Sequence, residues 1–117
     1  MQEKREFIRL ESLNLLDYQI VDDHGQYAAH SMGRTLDVSE QGLLLESEQE
    51  INNGDSLIVT IGLEDDLIEL LANVTHVVKS DKLYHAGMKF DEVDKEGERV
   101  LKKYIDAFLK MFGTPDK

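Results

Sequence analysis

Between Leu13 and Phe90 the chain keeps returning to one pattern, a short apolar run of period two closed by turn-forming residues. Leu16, Tyr18 and Ile20 alternate with Asp17 and Gln19, and Asp22-Asp23-His24-Gly25 then closes a hairpin. Tyr27 to Val38 reads as a second strand, with Gly33 a bulge or a point of close approach. Leu43-Leu44-Leu45 is a third, continuous in apolar character and therefore expected to be covered on both sides. After the turn Asn52-Asn53-Gly54-Asp55, Leu57, Val59, Ile61 and Leu63 alternate into a fourth strand, which Glu64-Asp65-Asp66 breaks. The fifth sets Ile68, Leu70, Ala72 and Val74 against Glu69, Asn73 and Thr75. Ser80-Asp81-Lys82 turns the chain into a sixth, where Tyr84, Ala86, Met88 and Phe90 alternate with His85, Gly87 and Lys89. Six short strands without intervening helices predict a small antiparallel barrel or sandwich.

The period changes after Asp94. Val100, Leu101, Tyr104, Ile105, Phe108 and Leu109 recur at helical spacing, with Lys102, Lys103, Asp106 and Lys110 on the other face. Gly113 and Pro115 end the run. Such a stripe predicts a helix over residues 94–112 that plugs or flanks the open side of the barrel. A chain of 117 residues accommodates one core, so 1–117 is read as a single domain: an N-terminal arm at 1–11, a barrel at 12–91 and the helix.

Charge narrows the partners. A net charge of −11 repels nucleic-acid backbones and anionic membranes, so neither DNA nor RNA is an expected partner. An oligonucleotide-binding barrel would show a basic groove with exposed aromatics, and a chain with no Trp and four Phe lacks that composition. No apolar run is long enough for membrane insertion and none at the start suits export, so the expected address is cytoplasmic. Without cysteine there is neither disulfide nor thiolate chemistry. A small anion held locally is still compatible, because distant repulsion is screened beyond roughly 10 Å. Only four of the cations are Arg, and Arg5, Arg9 and Arg34 lie in the first third of the chain. Arg is the side chain that forks onto phosphate or guanine.

Catalytic and metal chemistry find little support. His24, His30, His76 and His85 form no i, i+4 pair and no HExxH. His76 is in phase with the apolar face of its strand, which predicts a core or edge histidine; His85, on the polar face, could line a surface site. Ser39 has no adjacent base. The expectation is no enzyme, no cofactor and no metal.

Two stretches stand apart. Asp37-Val38-Ser39-Glu40-Gln41-Gly42 places two acceptor side chains and a glycine at the corner between the second and third strands. Arg5-Glu6-Phe7-Ile8-Arg9 sets two fixed cations on the arm. Asp37 and Ser39 can cap their own backbone or turn outward to a ligand, and Gly42 can take positive φ or allow close approach.

Together and in this order, the two motifs resemble the PilZ domain family, whose members bind the bacterial second messenger cyclic di-GMP. The family's RxxxR matches Arg5 to Arg9, and its [D/N]xSxxG matches Asp37 to Gly42. Gly87-Met88-Lys89-Phe90 and the terminal helix fit as well, so the likeness spans roughly residues 4–112 and suggests a stand-alone domain. It implies a six-stranded PilZ-type β-barrel with a C-terminal helix. It also implies a receptor in which Arg5 and Arg9 clamp phosphate and guanine, Asp37 and Ser39 read a base, and Gly42 keeps the turn open. Lys4 corresponds to a position that influences whether one ligand or a stacked pair binds, and the stoichiometry stays open. The implied output is an arm that orders on ligand and alters contacts with a downstream protein partner. The alternative is a PilZ-like adaptor that binds no nucleotide. Dimerisation through the helix is left open.

Overall fold

A computed structural model describes residues 13–63 and 65–113 of the chain. Six strands form a closed barrel: β1 (Leu15–Val21), β2 (Tyr27–Val38), β3 (Gly42–Ser47), β4 (Ser56–Leu63), β5 (Asp66–Ser80) and β6 (Leu83–Phe90). The order around the barrel is β1-β2-β3-β6-β5-β4, and every neighbouring pair is antiparallel. Among the described residues, closure through the β1–β4 pairing leaves no free sheet edge.

Alternation builds the core. Leu16, Tyr18, Ile20, Leu45, Leu57, Val59, Ile61, Ala72 and Ala86 point inward and are almost completely buried. The buried Tyr18 hydroxyl is satisfied by Ser47 Oγ on β3. The α-helix α1 (Lys95–Phe112) lies against β4 and β5 and buries Val100, Leu101, Tyr104 and Phe108. Its ends are both stopped chemically. Asp94 caps the start by accepting from Gly97 N at 2.8 Å. At the other end Gly113, at φ 79°, donates its N–H to Leu109 O.

Two contacts fix the helix to the barrel. Lys103 Nζ lies 2.6 Å and Arg99 Nη2 3.2 Å from the two carboxylate oxygens of Asp66, at the start of β5. Those hydrogen bonds, Lys103 first and Arg99 second, hold the Asp66 carboxyl below the usual aspartate range. Deeper in, the Tyr104 hydroxyl donates to Leu13 O at 3.0 Å and sits 3.2 Å from Thr35 Oγ1. Burial raises the Tyr104 pKa, so the phenol stays protonated and able to donate.

The barrel-plus-helix architecture agrees with the expectation from the sequence; one open alternative is decided and two details are corrected. Gly33 is a close approach without a bulge: a Cβ there would stand 2.7 Å from Glu46 O, while the pairing of Gly33 with Leu16 stays regular. The third strand is covered on one side only, with Leu43 and Leu45 buried inward and Leu44 half-buried on the outer face. His76 is exposed and leaves the apolar face, because the β5–β6 register shifts between Val74 and His76. The extra residue, Thr75, breaks the alternation and turns His76 outward.

Candidate functional site

The turn Asp37–Gly42 joins β2 to β3 and holds itself together. Ser39 N donates to Gly42 O at 2.9 Å, and Ser39 Oγ accepts from Gln41 N at 3.2 Å. Asp37 Oδ1 accepts from Val38 N at 3.0 Å, and the residue is exposed. The turn is pinned to β6 by Phe90 N, which donates to Gln41 O at 2.8 Å.

Gly42 is required for a different reason than an open turn. It is not among the glycines at positive φ. A Cβ at Gly42 would stand 2.0 Å from Met88 O and 3.0 Å from Lys89 Cα, so only glycine lets β3 start this close to β6.

Asp37 owes its exposure to an irregularity. Gly33 and Thr35 are buried on the inner side of β2, and strict alternation would send Asp37 inward and Val38 outward. The β2–β3 register instead shifts between Thr35 and Asp37, so that Asp37 faces solvent and Val38 is buried. The register then sets Asp37 opposite Leu44, Leu44 opposite Gly87, and Gly87 opposite His76. One row of the outer wall therefore reads acid, apolar, bare backbone, imidazole. Gly42 and Lys89 pair in the adjacent row. Asp37, Ser39, Gly42, Leu44, Gly87 and Lys89 line one depression of about 300 Å³.

Arg34 and His85 lie one row further along. Both turn to Glu46, His85 Nε2 at 3.1 Å and Arg34 Nε at 3.9 Å, so both are engaged by a half-buried carboxylate. Neither lines the depression, and Arg34 and Glu46 line another one. Lys89, Gln41 and Leu44 line the first depression and were not singled out as site residues from the sequence. The match of Gly87-Met88-Lys89-Phe90 drew attention to Lys89, but only the register, which pairs it with Gly42, puts it at the turn. Lys4, Arg5 and Arg9 lie outside the described residues.

Among the described residues, one group offers metal-ligating atoms within 4.8 Å of one another: Asp22, Asp23 and His24. Its geometry is that of a turn, because Asp22 Oδ1 accepts from His24 N at 2.9 Å and Gln26 N at 3.0 Å. No helix among the described residues is long and apolar enough to cross a membrane.

Fold and site define a class: a small six-stranded barrel domain with a flanking helix and an acceptor turn between its second and third strands. Residues 3–107 match the PilZ domain, and the chain belongs to the PilZ domain family. Solved structures agree in fold. The Bacillus subtilis inhibitor of motility (MotI/DgrA) superposes with a TM-score of 0.59 at 18% identity, covering 95% of this chain and 54% of that one. Apo MrkH of K. pneumonia gives a TM-score of 0.59 at 16% identity, covering 94% and 53%. The complex of MrkH with c-di-GMP gives 0.56 at 15% identity, covering 99% and 56%. The chain thus spans about half the length of these solved proteins. No curated protein matches it.

Proposed function

We propose that this chain is a non-enzymatic receptor for cyclic di-GMP. Lys4, Arg5 and Arg9 supply the arm's cations, and Asp37, Ser39 and Gly42 form the barrel side of the site. The observation that carries the reading is the outward Asp37, which a register shift turns from the core to an apolar shelf of Leu44 and Gly87. A carboxylate there accepts from the N1–H and N2 amino group of guanine while the purine face rests on the shelf. Adenine offers no such pair of donors. Lys89, beside the shelf, adds a cation for a phosphate.

Covalent reach supports the arm's part. The chain enters the barrel next to the site, since Thr35 N donates to Asn14 O at 2.7 Å two residues before Asp37. Three residues stand between Arg9 and Leu13, so the extended chain gives Arg9 a reach of at most roughly 14 Å from that anchor, and Arg5 roughly 28 Å. In a protein of net charge −11, local cations brought to the shelf are what would let an anionic ligand dwell there. The ligand draws the arm against the barrel and changes the surface offered to a protein partner.

Thermal unfolding tests the reading. Cyclic di-GMP at a hundredfold excess over its Kd should stabilise the folded chain by about 2.7 kcal/mol, whereas cyclic di-AMP should leave the melt unchanged. Equal melts with and without cyclic di-GMP would support the nucleotide-free adaptor instead.

A further inference from the structure

Two of the three register shifts in the barrel fall on the same outer row, at its two ends. The shift in β2 turns Asp37 out, and the shift in β5 turns His76 out. The third lies elsewhere, between Ile20 and Val21 near the β1–β2 turn. Bulges re-aim side chains beside functional surfaces. Here both act on a strip whose middle is Leu44 and Gly87, crossing three inter-strand spacings or roughly 14 Å. Gly87 keeps the strip open: the nearest atoms to a Cβ built there are His76 Cβ and O, both at 3.9 Å. Lys89 lies two residues along β6 on the same outer face and pairs with Gly42.

The strip is therefore polarised, an acceptor at the β2 end and nitrogen donors at the β5 and β6 side. From this we infer that His76 and Lys89 form an anion subsite over Gly87, which takes the phosphate of the nucleotide farther from Asp37. The inference rests on the receptor reading and deepens it. A ligand whose base donates to Asp37 must carry its phosphates elsewhere on the strip, because a phosphate against Asp37 would be repelled. Around Gly87 a phosphate meets an imidazole N–H and an ammonium over a half-buried glycine that has no side chain, with no carboxylate in the row beyond Asp37. Glu46, in the neighbouring row, is already engaged by His85 and Arg34.

The test is the affinity of the full chain for cyclic di-GMP with His76→Ala, His76→Glu and, as a control, His24→Glu. The control makes the same change in formal charge at the β1–β2 turn, where the His24 side chain is 83% exposed. His76→Ala should weaken binding about 5- to 10-fold, and His76→Glu about 30-fold, a like charge replacing a donor beside the phosphate. His24→Glu should stay within about twofold of the parent, as expected for a screened, distant charge. Equal affinities for His76→Glu and His24→Glu would overturn the subsite and leave the receptor standing. Absence of binding by the parent would overturn both.

Discussion

Asp37 and Gly42 are five residues apart and serve opposite ends, one the ligand and the other the fold. Asp37 is exposed and its bond to Val38 N is local, so Asp37→Ala should leave the melting free energy within about 0.5 kcal/mol of the parent while removing ligand-dependent stabilisation. Gly42→Ala should do the reverse damage, because its Cβ cannot coexist with Met88 O at 2.0 Å and β3 must draw away from β6. The expected cost is about 1–3 kcal/mol, read by denaturant unfolding. Much of this was legible in the sequence, since an acceptor, a serine and a glycine at those spacings mark a corner. Close approach was one of two readings the sequence allowed for Gly42; what it hid was the neighbour, which lies in another strand 46 residues on at Met88. It also hid His76, because Val74-Thr75-His76 alternates as well as any strand, and only the partner's register reveals the extra residue.

Between elements, α1 is the part that ties the site's scaffold together. Tyr104 bonds to Leu13 O, where the arm joins the barrel, and to Thr35, two residues before Asp37. Tyr104→Phe strands a buried carbonyl and hydroxyl and should cost about 1–3 kcal/mol of stability by denaturant unfolding. The salt bridge at the other side of the helix is pH-dependent. Asp66 has its folded pKa depressed, so its contribution is complete above the ordinary value near 3.8 and is lost as pH falls through the lower folded value. Asp66→Asn should therefore melt earlier than the parent at neutral pH, and the gap between the two should close as pH drops below that range. A gap that persists in acid would place the loss in packing rather than charge. The existence of the six strands and of the helix was readable from their periods, 2 and 3.6, because each element buries one face, while β5 starts at Asp66 and runs to Ser80, beyond the alternation that announced it. The pairing order β1-β2-β3-β6-β5-β4 was not, since contacts between distant strands leave no mark on local alternation.

The whole molecule combines an acidic surface with one strip where donors and an outward acceptor share an apolar floor. Closure of the barrel makes that strip rigid, because every strand beneath it is paired on both sides. The arm cations of the proposed site, Lys4, Arg5 and Arg9, precede β1 in the sequence. An account of this kind predicts that a receptor's affinity is divided between a pre-formed wall and cations brought to it. A calorimetric titration of the chain with cyclic di-GMP, run beside Arg9→Ala and Asp37→Ala, tests this most directly. The account predicts saturable binding by the parent, with a ratio at saturation of one or two ligands per chain, and a loss of about tenfold or more in each variant. No heat of binding from the folded parent, or full binding by Arg9→Ala, would contradict it.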